Sequence, residues 1–217
     1  GTPLGAWIGG TFGWRWTMGL MAVLAIVAAL WLQMRMPARV VPAPLSASAW
    51  RQTLLSPTLM LTLSITVVSA AGQFIFFSYM APYVAERFGQ GAAALSSLLL
   101  VYGLCGFVGN AAVSRWIDRI GPARAMAWAL SGIAIGMGLV GLTGSFSTMV
   151  LAIVPWGLGV FASNSSQQAR LVQLSPMLAP ASIALNTSAM YAGQAIGASS
   201  GGWLILHQGL GSLPLAG

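Results

Sequence analysis

Six apolar runs of bilayer-spanning length follow one another along this 217-residue chain: Trp14 to Gln33, Pro57 to Tyr79, Ala92 to Val113, Ala123 to Leu142, Met149 to Gln168 and Ser182 to Leu206. At a rise of about 1.5 Å per residue, roughly 20 helical residues cover the hydrocarbon of a membrane. No Asp, Glu, Lys, Arg or His stands at the centre of any run. Backbone amides in hydrocarbon have no water to bond, so each run must satisfy its own hydrogen bonds as a helix. Residues Gly1 to Phe12 add the end of a seventh stretch. The expected fold class is all-α integral membrane, with six transmembrane helices plus the end of a seventh.

Composition agrees and removes several classes of function. With 57% hydrophobic and 5% charged residues and a mean hydropathy of +0.83, there are too few ionic groups to hydrate a soluble surface of this size. The first partner is the lipid bilayer. A net charge of +7 could suggest nucleic acid, but every basic residue is an arginine standing singly between apolar runs, with no basic, aromatic-studded face, so no nucleic-acid partner is expected. An enzyme working inside the membrane would need a buried nucleophile and base or a set of metal ligands. The runs offer neither carboxylate nor histidine, so no enzyme, metal or cofactor is expected. Cys105 is the lone thiol and stands in an apolar run, where a structural thiol is expected, and His207 ends one, where an interfacial role fits.

The arginines also orient the chain. Placing Arg35, Arg39 and Arg51 in the cytoplasm puts Arg115, Arg119, Arg124 and Arg170 there too and leaves Arg15 and Arg87 outside, in accord with the positive-inside rule. Glu86 would offset Arg87 locally. Tryptophans 14, 16, 31, 50, 116, 128 and 203 lie mostly at run ends, where amphipathic rings suit the headgroup zone.

The frame Gly1-x-x-x-Gly5-Ala-x-x-Gly9-Gly10 returns as Gly193-x-x-x-Gly197-Ala-x-x-Gly201-Gly202. An even number of crossings separates the copies, so both run the same way and the repeat is parallel, as in many secondary transporters. Small residues four apart also mark ordinary close helix packing. Both chain ends read as internal to a longer protein. One connection differs from the short loops elsewhere: three prolines stiffen Arg35 to Pro44, and Leu45 to Leu55 reads as a short amphipathic helix laying Trp50 on the bilayer and Arg51 among headgroups. The expected division is residues 1–34, a cytoplasmic linker over 35–55, and a helical bundle over 56–217.

Three motifs together resemble the major facilitator superfamily, and within it the twelve-helix drug and sugar efflux permeases of the proton-antiporter, arabinose-efflux-like type. Gly1-x-Pro3-Leu4-Gly5-x-x-x-Gly9-Gly10-x-x-Gly13-Trp14-Arg15 is similar to the family's antiporter motif at the end of helix 5, although Pro3 lies farther from the glycine pair than in its stricter form. Gly109-Asn110-x-x-x-Ser114-Arg115-x-x-Asp118-Arg119-x-Gly121-x-x-Arg124 resembles the loop motif between helices 8 and 9, with Ser114 where the full motif has Asp. Val154-Pro-Trp-Gly-Leu-Gly159 through Arg170, then Asn186 and the second glycine frame, resembles helices 10 and 11. The resemblance implies a fragment from the end of helix 5 to helix 11, whose missing first half is a partner. It implies a proton-coupled efflux transporter in a bacterial inner membrane. Glycines Gly1, Gly5, Gly9, Gly10, Gly193, Gly197 and Gly201, with Pro3 and Arg15, would form close seams. Asp118, paired with Arg115 or Arg119 at a helix start, would latch the cytoplasmic side together with Gly109, Gly121 and Arg124.

Solute contacts would come from neutral polar side chains. Ser69, Gln73, Phe77 and Met80 recur on one face of helix 7. Tyr102 from helix 8, Trp156, Ser163, Asn164 and Gln167 from helix 10, and Asn186, Met190 and Gln194 from helix 11 complete the set. Each could equally make an interhelical hydrogen bond. An uncharged, Met- and aromatic-rich site suits neutral sugars and amphiphilic cations alike. Any titratable coupling group would lie in the missing half. A non-transporting structural membrane protein is the alternative, since packing alone explains most glycines.

Overall fold

The computed structural model describes residues 2–35 and 46–217, so Gly1 and the proline-rich stretch with Arg39 lie outside the described residues. Ten helices carry the described chain: α1 (Thr2–Phe12), α2 (Trp14–Arg35), α3 (Ala47–Leu55), α4 (Pro57–Phe77), α5 (Met80–Phe88), α6 (Ala92–Ile120), α7 (Pro122–Gly141), α8 (Phe146–Leu174), α9 (Ala179–Gln208) and α10 (Leu213–Ala216). Each apolar run has become a helix.

Local chemistry sets their ends. Ser56 caps α4, accepting from the Leu59 amide, and Pro57 occupies the first turn, where its missing N–H costs nothing. Ser145 and Thr148 form a reciprocal capping box at the start of α8. Between α6 and α7 a single residue, Gly121, turns the chain at φ +81°, a conformation that disfavours any side chain, and Pro122 starts the next helix. The seventh helix of the resemblance is split: α4 ends at Phe77 and α5 begins at Met80. Pro82 accounts for the position, because its ring would collide with the carbonyl four residues earlier, that of Ser78.

Five segments, α2, α4 with α5, α6, α7 and α8, are long and apolar enough to cross a membrane. The expected sixth, α9, has 30 residues and is about 45 Å long, ample for a bilayer. Its polar content, including Ser182, Asn186, Thr187, Ser188 and Gln194, takes it out of that apolar group.

The bundle is built around α8, which packs along α6 on one side and α7 on the other, while α4 pairs with α9. Missing side chains allow these approaches: a Cβ on Gly132 of α7 would stand 2.9 Å from the Pro155 carbonyl oxygen of α8. The core gathers Phe76, Tyr83, Leu98, Met149, Ile153 and Trp156, all essentially inaccessible. By contrast α2 buries none of its described residues in the bundle and packs chiefly on α1, which leans on α6. Residues 47–55 of the expected amphipathic segment form helix α3, which packs on α4 and α9 with Thr53 buried, Trp50 half-buried and Arg51 exposed. The Trp203 ring stacks on His207 at 4.3 Å.

Candidate functional site

Helix α4 runs unbroken through Ser69, Gln73 and Phe77, and this face meets α8 and α6. The Trp156 indole Nε1 donates to Gln73 Oε1 at 2.9 Å, and Gln73 Nε2 donates to the Ser69 carbonyl at 3.1 Å and the Ser69 hydroxyl at 3.2 Å. Both hydrogen-bonding ends of the amide are thereby fixed. Tyr102 meets Trp156 edge to face at 5.1 Å and Phe77 at 5.6 Å. This aromatic cluster forms one wall of a cavity of about 600 Å³, further lined by Phe74, Phe161, Asn164, Met190 and Gln194. That volume falls within the roughly 300–1,000 Å³ of small-molecule sites.

A smaller cavity of about 90 Å³ shares Gln73, Asn164, Met190 and Gln194 with the first and adds Thr66, Ser69, Ser163, Gln167 and Asn186. Here the polar groups mostly bind one another. Gln167 Nε2 donates to the Thr62 carbonyl and, at 2.9 Å, to Thr66 Oγ1, which donates to Asn186 Oδ1 at 2.7 Å. Gln167 Oε1 is buried and lacks a partner among the described residues.

Ser69, Gln73, Phe77, Tyr102, Trp156, Asn164, Gln167, Asn186, Met190 and Gln194 therefore all line one or both cavities. Met80 does not. The break at Ser78 and Tyr79 takes it off the α4 face, and it is buried in the core with Tyr83 and Val84. Sequence reasoning passed over Thr66, although Thr66, Ser69, Gln73 and Phe77 form one stripe at three- and four-residue spacing. No charged side chain lines either cavity among the described residues.

The motif residues divide by role. Gly193, Gly197 and Gly201 face the α4 backbone at Val67, Ala71 and Ile75, and Tyr79 lies against Gly201 and Gly202 with its hydroxyl donating to the Ala198 carbonyl at 2.7 Å. In the first copy, Gly5 and Gly9 face Thr17 of α2, and a Cβ on Gly10 would stand 3.2 Å from the Ala92 Cβ of α6. Pro3 lies in the first described turn of α1, and the Arg15 guanidinium sits 5.4 Å from the Trp14 ring. Gly109 abuts the backbone of Leu158.

The expected latch is corrected. Arg115, Asp118 and Arg119 belong to the closing turns of α6, with Arg124 in the first turn of α7, so Asp118 stands near a helix C-terminus, where the dipole disfavours a carboxylate. No ion pair joins Asp118 to Arg115 or Arg119 among the described residues. Nor does Glu86 pair with Arg87, whose Nη2 instead donates to the Thr143 carbonyl at 3.2 Å.

A sequence model of the Major Facilitator Superfamily matches residues 1–198. The chain belongs to this superfamily. Relatives include an uncharacterized MFS-type transporter of Bacillus subtilis, 23% identical over all of this chain and 56% of its own. A probable sugar efflux transporter of Mannheimia succiniciproducens is 25% identical over all of this chain and 55% of its own. A purine ribonucleoside efflux pump of Salmonella typhimurium is 31% identical over 72% of this chain and 39% of its own. The chain thus spans about half the length of the full-coverage relatives. Major Facilitator Superfamily membership and the apolar spans make it an integral membrane protein of a transporter family.

Proposed function

We propose that the chain forms the second half, with the last part of the first, of an inner-membrane antiporter that exports a small neutral or amphiphilic solute by alternating access. The carrying observation is the 600 Å³ cavity, walled by Phe77, Tyr102 and Trp156 and edged by the amides of Gln73, Asn164 and Gln194. Aromatic faces stack on a flat or pyranose-like ring, while amides both donate and accept, so a solute with hydroxyls or ring nitrogens is matched without any charge. The sugar and purine ribonucleoside efflux activities named for two relatives fall in that class.

Proton coupling belongs to the proposal too. It requires a side chain that can exchange a proton near neutral pH in the pathway, and no carboxylate or histidine is among the described residues lining the two cavities, so that group is assigned to the complementary half. Residues 35–55 act as the connection between halves.

The test is efflux from everted vesicles containing the chain co-expressed with a segment supplying the remaining helices of the fold. Gln73→Leu and Asn164→Leu should each lower flux of a sugar or nucleoside at least about tenfold at unchanged expression, the effect of a binding group left unpaired. Unchanged flux in both variants would remove the cavity from the pathway.

A further inference from the structure

On the far side of α8 from the solute cavity lies a separate concavity, a groove of about 280 Å³ between α6 and α7. Its α6 wall is Gly109, Ala112, Val113, Trp116 and Ile120; its α7 wall includes Ala125, Trp128 and Gly132; α8 closes its floor. The lining is almost wholly apolar. From the Gly121 turn to Gly109, twelve residues of helix, the groove runs about 18 Å, close to the depth of one leaflet of a roughly 30 Å hydrocarbon core. Trp116 and Trp128 are both more than half exposed and stand in the half of the groove nearer the turn; exposed indoles of this kind favour the headgroup zone.

Charge is arranged around the mouth. Arg119 and Arg124 flank the turn, and on helical wheels each sits roughly a quarter-turn from the groove face of its own helix, within reach for a long side chain. Asp118 falls roughly half a turn away, on the opposite side of α6. Neither arginine has an ion-pair or hydrogen-bond partner among the described residues. An apolar slot one leaflet deep, with Arg119 and Arg124 on the adjoining helix ends and neither paired among the described residues, is complementary to one kind of molecule.

We propose that this groove is a binding site for an anionic phospholipid of the leaflet at the arginine-rich end. One acyl chain lies along Gly109, Ala112 and Gly132, and the phosphate is held by Arg119 and Arg124 between the two tryptophans. A bound lipid here braces α6 against α7 across their one-residue turn.

Native mass spectrometry of the detergent-solubilised chain, titrated with phosphatidylglycerol and with phosphatidylcholine, tests the site. Phosphatidylglycerol should be retained preferentially. Arg119→Gln with Arg124→Gln should weaken its binding about thirtyfold, the loss of two arginines each worth ~1 kcal/mol at an anionic surface. Because that variant could alter membrane insertion, Ala112→Phe provides a second arm: it fills the groove, keeps both charges, and should weaken binding of both lipids. Inorganic phosphate at the same concentrations should not displace phosphatidylglycerol, since it lacks the chain. Equal retention of the two lipids, full binding by Ala112→Phe, or displacement by phosphate alone would overturn the proposal.

Discussion

The Trp156 indole and the Gln73 side-chain carbonyl, 83 positions apart in sequence, are joined by a buried 2.9 Å hydrogen bond that ties α8 to α4 at the cavity wall. Its removal from one side leaves a buried donor unpaired. Gln73→Leu should therefore destabilise the chain by about 1 kcal/mol, within the range for membrane hydrogen bonds and their unpaired partners. Adding Trp156→Phe removes the stranded N–H, so the double variant should lose less than the sum of the two single variants. A double-mutant cycle on thermal unfolding in detergent measures this. Strict additivity would mean that the bond contributes nothing to the fold.

Much of this architecture was legible because lipid permits little choice. Apolar runs punctuated by arginines and prolines marked each long helix, and the stripe from Ser69 to Phe77 marked the cavity face of α4. The failures have physical causes. The motif at Gly109 to Arg124 read as a loop because its end is charged, yet Arg and Asp do not terminate helices, and α6 continues to Ile120 until Gly121 stops it. Met80 was misplaced because apolarity runs on through Ser78 and Tyr79. Only Pro82, four residues beyond Ser78, signalled the break. The hydrogen-bond chain through Thr62, Thr66, Gln167 and Asn186 depends on three helices meeting, which periodicity within any one of them does not reveal.

Thr66 is the hub of that chain, accepting from Gln167 and donating to Asn186. Thr66→Val keeps the shape and removes both bonds. It should lower stability by about 1–2 kcal/mol, whereas Thr66→Ser should stay near the starting value. Unfolding in a detergent series compares them, and equal behaviour of Val and Ser would show that the hydroxyl carries no load.

The glycines of α9 and α7 are not equivalent. A Cβ on Gly197 would run into the α4 backbone at Ala71, while one on Gly138 meets nothing within 4 Å. Gly197→Ala should cost about 1–3 kcal/mol through overpacking. Gly138→Ala should be neutral or gain up to about 1 kcal/mol from helix propensity. Folded yield and melting temperature report both, and similar penalties would contradict the packing described for α4 and α9.

Asp118 is exposed near the end of α6 without an ion-pair partner among the described residues. Asp118→Asn should change the stability of this chain by less than about 0.5 kcal/mol, as for exposed sites outside any network. A larger loss in thermal unfolding would mean that the carboxylate is engaged after all.

The last prediction concerns the orientation, which rests on where the arginines fall and on one contact between ends. Arg87 Nη2 donates to the Thr143 carbonyl, so the end of α5 and the connection between α7 and α8 share one side of the bundle. The one-residue turn at Gly121, flanked by Arg119 and Arg124, lies at the opposite end of α7. In a Cys105→Ala background, single cysteines at Gln90 and Ser145 should react with an impermeant maleimide added to intact cells. Cysteines at Ala123 and Ser175 should react only after the membrane is opened, because the arginine-rich connections stay in the cytoplasm. Glu86 and Asp118 should matter little to this result, since acidic residues contribute weakly to orientation. Labelling of Ala123 from outside intact cells, with Ser145 protected, would invert the orientation and with it the leaflet assigned to the groove.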